Sequence, residues 1–321
     1  MKKILLLDKE TLGEGVDLSP FGTLGQVIER GTIKSEEEML ALAGDPLCAD
    51  AHILLCNKAP ITARVLDAFK NLAYVGVFAT GVNNVDTAHA AKKSVTLCNV
   101  PDYSSDAVAQ LVFTFILMSA GNTFSYVKDT QKGDWTTSPS FSMIRYPLTE
   151  LQGKTLGILG YGSIGKKVAR LGLAFGMEVL VHTRTPRKAE GVRFVSKKEL
   201  LEHSDFLSLN APLTAQTARC INEESLSLMK PTAVLINTAR GGLVDEQALA
   251  RALKDGQIAC ACLDVLQKEP MDKDCALLGL ENCLITPHIA WAPLQTRQRL
   301  ARIAFENLQA FLNGTPQNEV L

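Results

Sequence analysis

The 321 residues suffice for two domains, each with a buried core of its own. Apolar residues make up 46% and charged residues 21%, an ordinary balance for a globular protein, and the formal net charge of −1 argues against nucleic acid or an anionic membrane as a partner. Eight cysteines form no C-x-x-C pair and several fall inside apolar runs, so they read as small hydrophobes in a reducing, cytoplasmic setting, with no metal implied.

The start, "MKKILLLDKE", is basic, but its apolar run stops at Asp8, Lys9 and Glu10; it reads as a first strand and not as a signal peptide. Over the first hundred residues, "KILLLD", "GQVIER", "AHILLC", "LAYVGVF" and "VTLCNV" are strand candidates, with helical spacing in "SEEEMLALAG" and "TARVLDAFKNL" between them. Alternation of this kind predicts a parallel sheet covered by helices. "PDYSSDAVAQLVFTFILMSAG" then reads as a long apolar helix whose start is a domain crossover, too short to span a bilayer, and "KGDWTTSPSFSMIRYPL" as a polar loop. From Leu151 the alternation restarts, with strands expected in "KTLGILG", "EVLVHT", "DFLSLN", "TAVLIN", "IACACLDV" and "CLITP". A final helix, "LQTRQRLARIAFENLQAFLNG", stops at Asn313-Gly314. The reading is α/β throughout, with two doubly wound parallel-sheet domains.

Gly160-x-Gly162-x-x-Gly165 stands between a strand and a helix and leads into a second strand. The first glycine suits a tight turn, the second lets backbone approach a pyrophosphate, and the third lets helix and strand pack closely, with Ser163 and Ile164 opening the helix whose N-terminus faces the negative charge. NAD-binding folds of this kind place an acid at the end of the second strand. Here Thr183 stands near that position, followed by Arg184, Arg187 and Lys188. Without the carboxylate, Arg184 or Arg187 is free to pair with a 2′-phosphate, so the cofactor is NAD(P)(H), leaning to NADP(H).

Ligands of an open parallel sheet bind outside the carboxyl ends of its strands. Those ends supply Asn210-Ala211-Pro212, then Thr238-Ala239-Arg240, then Asp264 and Glu269, then His288. Reduction of a 2-keto acid needs a hydride donor, a proton donor and a clamp for the carboxylate. His288 suits the proton donor, Glu269 suits orientation of its ring, Arg240 suits a forked contact with the carboxylate, and Asp264 suits the nicotinamide carboxamide. Alone, each has a plainer reading as a loop, cap or solvated turn residue. Their joint placement carries the functional one.

The segments "GILGYGSIGKKVA", "LNAPLTAQT", "MKPTAVLINTARGGLVDEQAL", "LDVLQKEP" and "TPHIAWA" together resemble the D-isomer-specific 2-hydroxyacid dehydrogenase family over nearly the whole chain. The resemblance implies Arg240, Glu269 and His288 as the catalytic trio and a Rossmann cofactor domain, residues 101–289, inserted into a flavodoxin-like substrate domain, residues 1–100 plus 290–321. It implies a homodimer joined mainly through the cofactor domains, and extends the cofactor contacts to Val108 and Thr217. "ATGVNNVDTAHAA" resembles the substrate loop, with the N–H groups of Thr80, Gly81 and Val82 receiving the substrate carboxylate. "VAQ" at 108–110 and "HIAW" ending in Trp291 are most similar to glycerate dehydrogenases, also called hydroxypyruvate reductases, so hydroxypyruvate/D-glycerate is the expected pair, with glyoxylate a side substrate; Trp291 either packs beside the substrate or fills the interdomain seam. The alternatives are a dinucleotide-sensing corepressor, disfavoured by the absence of a long disordered tail, and a D-lactate or phosphoglycerate type of dehydrogenase. Asn57-Lys58, after "HILLC", is a further candidate for the site, but Lys58 reads more simply as a solvated lysine.

Overall fold

The computed structural model describes residues 1–320, which fall into two compact units: Met1–Ser104 with the chain from Ala292 onward, and Ser105–Trp291. In the first unit β1 (Lys3–Leu6), β2 (Gln26–Glu29), β3 (Ile53–Cys56), β4 (Tyr74–Val77) and β5 (Thr96–Cys98) form an all-parallel sheet in the order β2-β1-β3-β4-β5, the flavodoxin-like winding. The sequence dictates this directly. "ILLC" and "YVGV" are apolar at every position because both faces of a central parallel strand are covered, and all eight residues are buried. The helices α1 (Glu36–Gly44), α2 (Ala63–Ala68) and α3 (Thr87–Lys92) start at Ser35, Thr62 and Asp86, whose side chains accept from the N–H groups of Glu38, Val65 and His89.

The second unit opens with α4 (Ser105–Ala120) and α5 (Thr123–Gln131). Its sheet comprises β6 (Thr155–Leu159), β7 (Glu178–His182), β8 (Val192–Phe194), β9 (Phe206–Leu209), β10 (Val234–Asn237), β11 (Cys260–Leu263) and β12 (Cys283–Ile285), in the order β12-β11-β10-β9-β6-β7-β8. This is the Rossmann winding extended by one strand, again wholly parallel. Between the strands lie α6 (Ser163–Ala174), α7 (Lys197–His203), α8 (Glu223–Ser227) and α9 (Glu246–Lys254). Period-two alternation sends neighbouring residues into two cores. Leu207, Leu209, Leu235, Ala261 and Leu263 pack on one face, and Phe206, Ile158, Ile236 and Cys262 on the other.

The final helix, α10 (Leu294–Leu312), returns to the first unit and ends at Asn313, with Gly314 at φ +78°. Phe305 meets Phe21 edge-on at 5.6 Å and Phe311 lies 4.8 Å from Tyr74, while Asn307 Nδ2 donates to Asn99 O at 2.8 Å. All eight cysteines are free thiols, and burial pushes Cys98 up to about 11 and Cys283 up to about 12, so both stay protonated near neutrality.

The structure adds two elements to those read from the sequence. The apolar helix stops at Ala120, as read, where Asn122 adopts φ +43° and donates through Nδ2 to Pro147 O, and the second helix that follows, bent by 62°, is the first addition. β8 was not foreseen; it is a three-residue edge strand. The first crossover between the two units lies between Ser104 and Ser105, at the start of α4.

One close approach locks the loops beyond β10 and β11. A Cβ on Gly241 would fall 1.9 Å from the carbonyl carbon of Leu266 and 2.4 Å from Gln267 N, so backbone lies against backbone directly after Arg240. Gln267 braces the same junction, donating its N–H to Glu246 Oε1 and its Nε2 to Val244 O, both at 2.5 Å. Gly241→Ala must therefore force the loops apart and is expected to cost about 1–3 kcal/mol in urea unfolding. Gly44→Ala at the end of α1, where a Cβ meets nothing within 4 Å, serves as the control and should be neutral or stabilise by up to about 1 kcal/mol. Equal effects of the two would contradict the close approach.

Candidate active site

Two neighbouring strands of the second sheet, β6 and β9, run their connections to opposite sides, which opens a crevice at their carboxyl ends. The loop from β6 enters it through Gly160 at φ +97°, and a Cβ there would lie 2.7 Å from Ala211 N and from Asn210 O. Only glycine fits between the two strand ends. Gly165 packs its Cα against Gly160 O, where a Cβ would be 2.3 Å away, whereas a Cβ on Gly162 would meet no atom within 4 Å. The loop is thus tight on the protein side and open on the other. Gly162 is the N-cap of α6 and brings no side-chain acceptor. The first-turn N–H groups of Ser163, Ile164 and Gly165 face the opening, as a pyrophosphate requires.

Two buried polar atoms at this edge have no partner among the described residues: Asn210 Oδ1, beyond β9, and Thr238 Oγ1, beyond β10. Buried polar groups are almost always paired, so these are positions where a ligand atom is wanted. With the open glycine loop, they fit a dinucleotide running along the crevice. Ala211 is buried and Pro212 exposed beside Asn210; Ala239 is half-buried and donates its N–H to Asn237 Oδ1. At the end of β7, Thr183 is half-buried, and Arg184, Arg187 and Lys188 are exposed. Thr217 is engaged within the protein. Its hydroxyl donates to Pro212 O at 2.6 Å and accepts from Thr214 N at 2.8 Å, so it shapes the Pro212 turn from within. Val108 is buried within α4.

Arg240, Glu269 and His288 stand beyond β10, β11 and β12, three consecutive neighbours in the sheet. Glu269 Oε2 meets His288 Nδ1 at 2.7 Å, and Glu269 Oε1 accepts from Leu266 N at 3.0 Å, which fixes the carboxylate plane. The ring is about one-third exposed, and with Nδ1 engaged, Nε2 is the nitrogen left for exchange with a ligand. Arg240 is exposed; its Nη1 donates to Ala239 O at 2.7 Å, and Asn237, itself buried, donates from Nδ2 to Arg240 O at 2.9 Å. Trp291, half-buried, ends this unit.

The carboxylate of Asp264, the residue expected at the nicotinamide, is bonded within the protein. It is 1% exposed. Oδ1 accepts from Thr286 Oγ1 at 2.5 Å and Ile289 N at 2.8 Å, Oδ2 accepts from Ala290 N at 2.8 Å, and its carbonyl accepts from His288 N at 2.8 Å. These bonds hold His288 at φ +55°, a conformation that non-glycine residues seldom adopt. The residues that sequence reasoning missed are these supports: Asn237, Gln267 and Asp264 in its anchoring part. A buried amide or acid at a strand end was the only signal for Asn237 and Asp264, and the exposed Gln267 offered none.

In the first unit, the loop after β4 carries Thr80, Gly81 and Val82. Among the described residues their N–H groups meet no acceptor, while the loop itself is pinned by Thr80 Oγ1 to Val100 O at 2.8 Å and by Asn99 Nδ2 to Thr80 O at 2.7 Å. Three successive amides without an acceptor in a pinned loop are donors available to an anion.

Comparison with known proteins agrees with this arrangement. Residues 113–290 match the family described as D-isomer specific 2-hydroxyacid dehydrogenase, NAD binding domain. A hydroxypyruvate reductase of Blautia hydrogenotrophica is 38% identical over 99% of both chains, and so is a glycerate dehydrogenase of Methylorubrum extorquens. The solved structure of an NADPH-dependent glyoxylate/hydroxypyruvate reductase from Sinorhizobium meliloti superposes with a TM-score of 0.87 at 30% identity, covering 100% of this chain and 98% of that one. The crevice at the switch point and the histidine–glutamate pair beside it therefore belong to a member of the D-isomer-specific 2-hydroxyacid dehydrogenase family.

Proposed function

We propose that this chain is an oxidoreductase that moves a hydride between NAD(P)H and a small 2-keto acid, with hydroxypyruvate to D-glycerate preferred and glyoxylate a second substrate. The observation that carries the reading is the 2.7 Å contact of Glu269 with His288 Nδ1, which leaves Nε2 for the substrate. The hydroxypyruvate and glyoxylate reductases among the relatives support the substrate class.

The bound reduced nicotinamide supplies the hydride. His288 Nε2 holds the proton for the keto oxygen, which gains negative charge as the carbonyl carbon is reduced; in the reverse direction Nε2 takes the hydroxyl proton. Glu269 keeps the ring in the productive tautomer and stabilises the charge on it. Arg240 presents its remaining N–H groups to the carboxylate and the polarised carbonyl. The amides of Thr80, Gly81 and Val82 receive the carboxylate, and Trp291 packs beside the substrate. Asp264 serves the nicotinamide side of the pocket chiefly by fixing the histidine turn.

For the cofactor we favour NADP(H). Thr183 stands where an acid would repel a 2′-phosphate, and Arg184 and Arg187 are exposed next to it. The NADPH-dependence named for the Sinorhizobium meliloti reductase points the same way.

The chain is read as a homodimer in a reducing, cytoplasmic setting. Phe141 and Ile144 are 90% and 79% exposed, and Phe124, Val127 and Trp135 are about half exposed. The segment that displays them is not loose. Asp129 accepts from Tyr146 Oη at 2.7 Å and Arg145 Nη1 at 2.9 Å, and Trp135 Nε1 donates to Phe141 O at 3.1 Å. A pinned surface with this much apolar area is a protein-contact surface. The free thiols support the compartment.

Three outcomes are expected. The purified protein oxidises NAD(P)H with hydroxypyruvate, and less well with glyoxylate; His288→Ala lowers kcat by about 10²–10⁴-fold while the dissociation constant for cofactor, read by fluorescence titration, holds. No turnover across hydroxypyruvate, glyoxylate, pyruvate and phenylpyruvate would refute the reading. With the same substrate, kcat/KM for NADPH exceeds that for NADH by about tenfold or more, and Arg184→Ala/Arg187→Ala removes most of that margin by weakening NADPH alone, each lost phosphate pairing being worth about 1.5–3 kcal/mol. Light scattering after gel filtration gives twice the monomer mass, and Phe141→Asp/Ile144→Asp gives the monomer; an unchanged mass would clear this surface of the contact.

A further inference from the structure

The turn after β3, Asn57-Lys58-Ala59-Pro60, has no part in the reaction as derived so far. In the structure it is a built feature. Asp8, just beyond β1, is 0% exposed and has φ +59°. One of its carboxylate oxygens accepts from Ile33 N at 3.0 Å, and the other accepts from three consecutive amides, Asn57 at 3.1 Å, Lys58 at 2.8 Å and Ala59 at 2.8 Å. A buried carboxylate is tolerated only when bonded in this way, and here all of its bonding goes into fixing two loops.

The side chains of the turn then divide sharply. Asn57, 4% exposed, points inward and donates from Nδ2 to Thr11 Oγ1 at 2.8 Å, which removes it from the ligand side. Ala59 is fully buried, and Lys58 is exposed. The far side of the turn is stitched to the loop that carries Thr80, Gly81 and Val82. Asn84 Nδ2 donates to Ala59 O at 2.8 Å, Ile61 N donates to Asn84 O at 2.7 Å, and Phe78 N donates to Cys56 O at 2.7 Å at the strand ends. Lys58 therefore stands on the same carboxyl edge of the sheet as the three open amides, one strand over, on a turn held rigid from both sides.

We propose that Lys58 is a specificity-determining residue that supplies a cation for the substrate carboxylate, with Asp8 and Asn84 as the positioning residues of its turn. This rests on the reading of Thr80–Val82 as the carboxylate loop. An ammonium is a compact charge on a flexible stem, so it selects an anionic substrate without demanding a forked geometry. The carboxylate bears the same charge in the keto acid and in the transition state. Its attraction to Lys58 is uniform binding and belongs in KM, not kcat.

The test compares Lys58→Met, Lys58→Arg and Gly81→Val with hydroxypyruvate, with glyoxylate and with the uncharged methyl ester of glyoxylate. Lys58→Met is expected to raise KM for the two anions about fivefold, as a partly screened ion pair does, while kcat falls less than twofold and cofactor affinity holds. Lys58→Arg restores KM, the ester reacts alike with wild type and Lys58→Met, and added salt raises the wild-type KM while leaving that of Lys58→Met level. If Lys58→Met leaves KM unchanged while Gly81→Val raises it, the role of Lys58 is refuted and the carboxylate loop stands. If neither variant moves KM, both are refuted. A fall in kcat or a loss of cofactor binding with Lys58→Met also overturns the proposal, since it marks a structural residue.

Discussion

A single buried carboxylate organises the catalytic edge of the seven-stranded sheet. Asp264, directly after β11, accepts from a hydroxyl and two amides of the segment that follows β12, and its carbonyl takes the N–H of His288. The left-handed backbone at His288 costs about 1–2 kcal/mol for a residue with a side chain. Several bonds to a desolvated anion offset that cost. Once the turn is set, the imidazole meets Glu269, which is itself held by the amide of Leu266. The close approach of Gly241 to Leu266 joins the loop carrying Arg240 to the same assembly, so three strand ends move as one body.

The first unit repeats the device independently. Asp8 lies beyond a strand of its sheet, is as fully buried as Asp264, and likewise gathers successive backbone amides from a loop far along the chain. In both cases the acid has a positional role and touches no reactive atom. The neighbours these acids fix, Lys58 in one unit and His288 in the other, are exposed or half-exposed, and their backbones are then not free to drift. This division matters for hydride transfer, where small displacements of a proton donor carry large kinetic penalties.

Much of this was legible in the residues alone. Strands such as Ile53–Cys56 and Val234–Asn237 declare themselves as unbroken apolar runs, and the glycine pattern at 160–165 names its own geometry. The positions of Arg240, Glu269 and His288 could be read as strand ends, although the contact between Glu269 and His288 needed coordinates. What stayed hidden has physical causes. An aspartate at a strand end has the same letter whether it is solvated, holds a cofactor or anchors a turn. Burial decides among these, and for Asp8 and Asp264 burial comes from partners about 25 to 50 residues away. The helix Thr123–Gln131 was missed because Phe124 and Val127 face outward and leave no inward stripe to detect. The edge strand Val192–Phe194 is too short for any periodicity.

The return of the chain to its first unit has a consequence for biosynthesis. The sheet of β1 to β5 can pair as soon as it leaves the ribosome, but the ring contacts of Phe305 and Phe311, and the amide of Asn307, reach it only after the whole intervening unit has been made. At general translation speeds of about 5–20 residues per second, that leaves roughly 10–40 s in which Phe21 and Tyr74 lack their cover. During that interval the emerged N-terminal segment presents aromatic surface that only α10 covers.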